Sequence, residues 1–270
     1  MVEVNFRQVT SLSNETVKHA RALHMRKTRE QSGQFLAEGL KIITEAVDQG
    51  VAPDVLMFGK AAASHPLLIR AAEATTAAGG EVIEVTPEIL EKIARRDNAQ
   101  PALAIFKQRF VPLDSLRPIS NVCWVAMDRV RDPGNLGTVV RTVDAAGGGG
   151  VILVGDCCDP YSVEGVRATM GSIFAVPLAR ATVEEFLAWR GQWPGSVVGT
   201  LLTATVNHHN ADYQTPTLIL MGNEAQGLPP DLAAACDVNV KIPMRGRADS
   251  LNLSVATGIM IYAVTDRLLG

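Results

Sequence analysis

Three polar segments of this sequence each follow an apolar, β-like run and carry groups able to bind and orient a polar ligand. The first, DRVRDPGNLGTVVRTVDAAG from Asp128, holds Asn135 and Arg141. The second, LILMGNEAQGLP from Leu218, holds Glu224. The third, KIPMRGRADSLNLSVATG from Lys241, holds Ser250, Asn252 and Ser254. A guanidinium, a carboxylate, amides and hydroxyls supply charge and hydrogen bonds without a metal or a covalent nucleophile. Ligands of open α/β sheets bind beyond the carboxyl ends of the strands, so the three loops can converge on one site. Singly, each has a plainer role: Asn135 and Gly137 as a turn before a helix, Glu224 as a solvated acid, Ser250, Asn252 and Ser254 as helix caps.

Other chemistries lack their signatures. There is no G-x-x-x-x-G-K-[ST] phosphate loop, no G-x-G-x-x-G after a strand and no G-x-S-x-G nucleophile elbow. Cys123, Cys157, Cys158 and Cys236 form no C-x-x-C pair, which leaves free, mostly buried thiols of a reducing compartment. His208 and His209 are adjacent, poor geometry for two ligands of one metal, and read as an exposed loop; no metal is expected.

These loops need a scaffold. The 270 residues are 47% hydrophobic and 20% charged, enough for one large domain or two small ones. From Asn121 short β-like runs (NVCWVAMD, VILVG, SVVGTLLTA, TLILMG, VNVKIPM) alternate with helical stretches. That alternation predicts a parallel sheet covered on both faces. A last helix, from about Asn252 to Leu269, carries the row Val255, Ile259, Ala263 beside the row Ala256, Met260, Val264. Residues 1–112 read as a small α/β/α domain, 113–120 as a linker and 121–270 as the second domain. In the first domain Ser13 is the expected cap of a helix through VKHARALHMRK, FLAEGLKIITEAVDQG is a second helix, and DVLMF, EVIEV and LAIFKQ are strands.

Together the three segments resemble the SpoU (TrmH-like) class of the SPOUT superfamily, RNA ribose 2′-O-methyltransferases. The matches are N-x-G-x-x-x-R at Asn135, Gly137 and Arg141, and G-N-E-x-x-G-L at Gly222, Asn223, Glu224, Gly227 and Leu228. A third, I-P-M…S-L-N-x-S-x-A, runs from Ile242 to Ala256. The first half is similar to the family's L30e-like substrate-binding domain, through S-x-x-N-x-x-V-K…R-K-x-R…G-x-F-x-x-E-G from Ser11 to Gly39. Ala225 departs from the glycine frequent in the second motif, and Val163 and Glu164 replace a Pro-Lys pair often seen before Arg167.

The resemblance implies a C-terminus threaded as a deep trefoil knot, a homodimer packed through the knot region, and S-adenosylmethionine held by backbone around Thr200, Leu202, Gly222, Ile242 and Leu251. It implies in-line attack of a ribose 2′-oxygen on the sulfonium methyl. Arg141 is then the first choice as catalytic residue. A cation beside the 2′-oxygen lowers the hydroxyl's pKa and steadies the alkoxide, whereas a guanidinium with a pKa above about 12 is a poor free base. Asn135 would orient the ribose or the Arg141 loop, Glu224 would pair with Arg141 or relay the proton, and Ser250 and Asn252 would fix the nucleotide or the knot backbone.

From Thr16 to Arg29 the chain carries Lys18, Arg21, Arg26, Lys27 and Arg29 and no acid. These read either as a solvated helix face or as phosphate contacts for structured RNA, joined by Arg131, Arg167, Arg245 and Arg247. With a net charge of −3, any RNA surface must be a local patch. Ribosomal RNA is the expected substrate, with transfer RNA as the runner-up and a non-catalytic RNA-binding protein as the alternative of a different class. No apolar run approaches the roughly 18 to 20 residues of a membrane span, and the N-terminus lacks a signal pattern, so a cytoplasmic location is expected.

Overall fold

The computed structural model describes residues 6–118 and 122–269, so 119–121, at the end of the expected linker, lie outside the described residues. The chain forms two compact units, Met1–Gln108 with Asp159–Ala175, and Arg109–Cys158 with Val176–Gly270.

The first unit opens with β1 (Arg7–Val9), α1 (Glu15–Ala22), α2 (Arg26–Ser32), β2 (Gln34–Glu38) and α3 (Leu40–Asp48). It continues with β3 (Val55–Gly59), α4 (Pro66–Ala77), β4 (Glu81–Val85), α5 (Pro87–Ala94) and β5 (Ala102–Lys107). Its sheet has the order β1-β4-β3-β5-β2, with β4 parallel to β1 and β3, and β5 antiparallel to β3 and β2. Two sequence expectations are corrected here. FLAEGLKIITEAVDQG is not one helix: its start is buried strand β2, and Gly39, at φ 95, turns the chain into α3. Apolar residues three and four apart fit a helix, but a buried strand running into a helix gives the same spacing. The helix through VKHARALHMRK breaks after Ala22 into α1 and α2, and its cap is Asn14, not Ser13. The Asn14 Oδ1 accepts from the Thr16 and Val17 amides at 3.0 and 3.4 Å.

The second unit begins with β6 (Cys123–Asp128), α6 (Pro133–Ala145) and β7 (Gly150–Val154). The next helix, α7 (Val163–Thr169), belongs to the excursion 159–175 and so to the first unit, although the sequence reading counts it with the second. Aromatic contacts show why: Tyr161 packs on Phe35 with ring centroids 4.7 Å apart, and Phe174 on Phe106 at 4.7 Å. The second unit resumes with β8 (Leu178–Ala181), α8 (Val183–Arg190), β9 (Val197–Thr200), β10 (Val206–Asn207) and β11 (Thr217–Met221). It ends with α9 (Pro230–Ala234), β12 (Val238–Lys241) and α10 (Leu253–Leu269). Its seven strands lie in the order β10-β12-β9-β11-β6-β7-β8, and all neighbours pair in parallel. The central strands β6, β7 and β11 are buried at every position, as a sheet covered on both faces requires. α6 is started by Asp132, whose carboxylate accepts the Asn135 amide at 2.6 Å, with Pro133 in the first turn. Of the two α10 rows, Met260 and Val264 are buried, while Val255 is 52% exposed.

Among the described residues no helix is long and apolar enough to cross a membrane. No group of three His, Cys, Asp or Glu side chains among them is placed to hold a metal. His208 is not on an exposed loop as expected. It is buried, 3.8 Å from the His209 ring, with Nδ1 3.3 Å from the Lys241 carbonyl.

Candidate functional site

Parallel pairing decides where the site lies. β12, β9, β11 and β6 are adjacent, and their registers bring Thr200, Met221 and Met127 side by side near their carboxyl ends. The loops leaving these four strands therefore share one edge of the sheet. There they line a cavity of about 780 Å³, within the roughly 300–1,000 Å³ range of small-molecule sites. Thr200, Leu202, Gly222, Ile242 and Leu251 all line it, as do Asn135, Glu224, Ser250 and Asn252.

Hydrogen bonds tie the loops to one another. The Asn252 Nδ2 donates to the Asn135 Oδ1 at 2.9 Å. Its Oδ1 accepts from the Ser254 and Val255 amides at 2.9 and 3.3 Å, capping α10. Both ends of this amide are committed, one to each loop. The Glu224 carboxylate accepts the backbone N–H groups of Arg131 and Asp132 at 3.3 and 3.4 Å, so it does not pair with Arg141. A carboxylate just ahead of α6 is favoured by the amide dipoles of the helix N-terminus.

Two contributors were missed as site residues. Asn223 donates through Nδ2 to the Arg129 carbonyl at 2.7 Å and accepts the Ala225 amide at 2.9 Å. Arg129 holds the fully buried Asp128 through a pair of bonds, Nε at 3.0 Å and Nη2 at 2.9 Å, and has φ 45. The adjacent DR pair after a strand was the available signal. Gly222 is a steric requirement: a Cβ there would lie 2.2 Å from the Gly227 carbonyl carbon and the Leu228 nitrogen. The loop closes on itself at this point, Asn223 and Gly227 exchanging backbone bonds of 3.1 and 2.9 Å.

Arg141 is the exception. It is exposed on α6, does not line the cavity, and has no hydrogen-bonded or ionic partner among the described residues. Six residues after Asn135 is about 9 Å along the helix and about 120° around it, which explains the separation.

The proposed RNA cations divide. Lys18, Arg21 and Lys27 are exposed, and Arg26 meets Glu30 at 2.7 Å. Arg29 is not available to phosphate: it is buried, with its Nε 2.7 Å from the Asp159 carboxylate and its Nη1 2.8 Å from the Leu23 carbonyl. Arg167 pairs with the buried Glu38 at 2.8 Å and is half exposed. In the second unit Arg131 pairs with Asp156 at 3.0 Å, while Arg245 and Arg247 are exposed.

The cavity fits a polar, partly apolar small molecule. The Thr200 Oγ1 is buried without a hydrogen-bond partner, and Leu202, Ile242, Met244 and Leu251 supply apolar wall. Covalent catalysis by Cys123, Cys157 or Cys236 is disfavoured, since burial pushes Cys123 and Cys236 up to about 12 and Cys157 up to about 11.

Residues 123–262 match the SpoU rRNA methylase family, and residues 14–104 match an MRM3-like substrate binding domain. The fold is similar to that of a solved AdoMet-bound rRNA methyltransferase from Sinorhizobium meliloti. The TM-score is 0.90 at 47% identity, over 97% of this chain and 98% of that one. In sequence, the chain is 30% identical to a 23S rRNA (uridine(2479)-2′-O)-methyltransferase from Streptomyces viridochromogenes, over 98% of this chain and 94% of that protein. It is 26% identical to the 23S rRNA (guanosine(2553)-2′-O)-methyltransferase RlmP of Bacillus subtilis, over 95% of this chain and 98% of that protein. Fold and cavity thus define an S-adenosylmethionine-dependent RNA methyltransferase. More particularly, the chain belongs to the SpoU rRNA methylase family.

Proposed function

We propose that the chain transfers a methyl group from S-adenosylmethionine to a ribose 2′-hydroxyl of ribosomal RNA. The observation that carries this reading is the convergence of the second and third family motifs, with Asn135 of the first, on one cavity of cofactor size. When bound, the cofactor supplies a methyl group already activated by the sulfonium charge. The chain's own residues must then bind it, align the hydroxyl, accept the proton and steady the oxyanion. Leu202, Ile242 and Leu251, with the backbone at Gly222, hold the cofactor, and the orphan Thr200 hydroxyl gains a partner from it. Asn135, fixed by Asn252, orients the ribose. Arg141 lowers the hydroxyl's pKa and stabilises the developing alkoxide. Glu224, exposed and held by two long backbone bonds, relays the proton, and Ser250 contacts the nucleotide.

In this reading the segment from β12 to α10 forms the knot, and the protein works as a homodimer in the cytoplasm. The dimer is favoured by α10, where Val255 and Tyr262 are 52% and 46% exposed. Arg141 lies on α6, which packs against α10. Lys18, Arg21, Arg26, Lys27, Arg131, Arg167 and Arg245 contribute RNA contacts; Arg29 is structural. The test is incubation with labelled cofactor and separate unmodified rRNA and tRNA transcripts. Label enters rRNA if the reading holds, and label in tRNA alone moves the substrate to tRNA.

A further inference from the structure

We propose that the cleft between the ends of α1 and α5 binds the phosphate backbone of the RNA substrate. The RNA-methylating reading above supplies the ligand; side chains of the first unit supply the place. Lys18 and Arg21 enter the cleft from α1, and Lys92, Arg95 and Arg96 from the end of α5 and the turn beyond it, against two acids, Glu91 and Asp97. Lys18 is matched by Glu15 at 2.8 Å, and Arg96 by Glu38 at 3.0 Å. Arg21, Lys92 and Arg95 are exposed and have no partner among the described residues. On a chain of net charge −3, this is a local excess of positive charge.

A cation in the last turn of a helix ordinarily serves the helix dipole. That explains neither the facing of two helices' cations across one cleft nor the backbone at Arg95. Arg95 ends α5 in the left-handed region, at φ 55, where glycine sits without strain. An arginine there gives up backbone stability and keeps a charge over the cleft. The lining holds no aromatic side chain on which a base would stack, so the ligand is backbone phosphate and not a splayed base. The basic run in the sequence points to only one wall; the α5 wall lies some seventy residues further along the chain.

The test is equilibrium binding of a full-length 23S rRNA transcript to the full chain across a salt series. It compares wild type, Arg95→Gly, the double variant Arg21→Gln/Arg95→Gly, and a control, Lys41→Gln/Lys60→Gln, that removes two exposed cations elsewhere on the same unit. Arg95→Gly is expected to melt no lower than wild type and yet to bind more weakly, an outcome a merely structural role would not give. The double variant is expected to lose affinity on the order of 10- to 100-fold at low salt and to flatten the log K against log salt slope by about 1.5. The control should match wild type. Unchanged affinity and slope in the double variant, an equal loss in the control, or no binding by wild type overturns the proposal. Methyl transfer to the same transcript separates the two readings. Binding that flattens as expected without any transfer sinks the enzymatic reading alone, while transfer with an unaltered slope sinks this site alone.

Discussion

At the scale of single residues, groups that hold the cavity's loops contrast with Arg141, which lies outside the cavity lining. Asn252, Asn223 and Glu224 are committed to hydrogen bonds that join the loops, whereas Arg141 has no partner among the described residues. Arg141→Ala should therefore lower the methyl-transfer rate on the order of 10²- to 10³-fold. Cofactor affinity by calorimetry should stay near that of wild type, because Arg141 does not line the cavity. A comparable loss of cofactor binding would contradict this assignment. Arg29 is the opposite case. Its charge is buried against Asp159, and removing one partner of a buried pair leaves the other uncompensated. Arg29→Met is expected to destabilise the fold by about 3–5 kcal/mol in urea unfolding, far more than loss of an exposed phosphate contact would. A stable variant with weakened RNA binding would restore the phosphate-contact reading.

At the scale of elements, the N-terminus of α10 is where stability and site geometry meet. Asn252→Ala removes the cap and should cost about 1 kcal/mol, a fall of about 2–4 °C in Tm. Asn252→Asp keeps the capping oxygen but loses the Nδ2 donor and faces the Asn135 Oδ1 with negative charge. It should melt close to wild type and still lose most of its methyl transfer; equal activity of Asp and wild type would show that the Asn252–Asn135 bond is dispensable. The same elements show what was legible in sequence. Five of the seven strands of the parallel sheet were readable because each is a short, largely apolar run bounded by polar loops. The edge strands β8 and β10 were not, because β8 carries the exposed Arg180 in a run of four residues and β10 has only two residues, both partly exposed. The three loops were readable as one site because parallel strands share a carboxyl edge. β2 was lost inside a helical reading because Leu36 and Leu40 keep helical spacing across the Gly39 turn. Arg29 was misplaced because its partner Asp159 lies 130 residues away and composition does not tell a buried charge from an exposed one. Arg129 and Asn223 escaped notice as site residues because their work is backbone positioning, which leaves no pattern of chemistry in the sequence.

At the scale of the whole molecule, the chain has two units, each with its own sheet: one matches an MRM3-like substrate binding domain and the other the SpoU rRNA methylase family. Val255 and Tyr262 leave an apolar stripe on α10 that a single copy exposes. The double variant Val255→Asp/Tyr262→Asp should sediment as a monomer where wild type sediments as a dimer. A monomeric wild type would contradict the dimer. Whether this cavity methylates a ribose oxygen of ribosomal RNA is decided by where the transferred methyl group ends up. The most direct measurement is methyl transfer from labelled S-adenosylmethionine to unmodified 23S rRNA, followed by digestion to nucleosides and mass spectrometry, with Arg141→Ala alongside. A single 2′-O-methylated nucleoside is expected, formed on the order of 10²- to 10³-fold more slowly with Arg141→Ala. Label on a base, or label unaffected by Arg141→Ala, would contradict it.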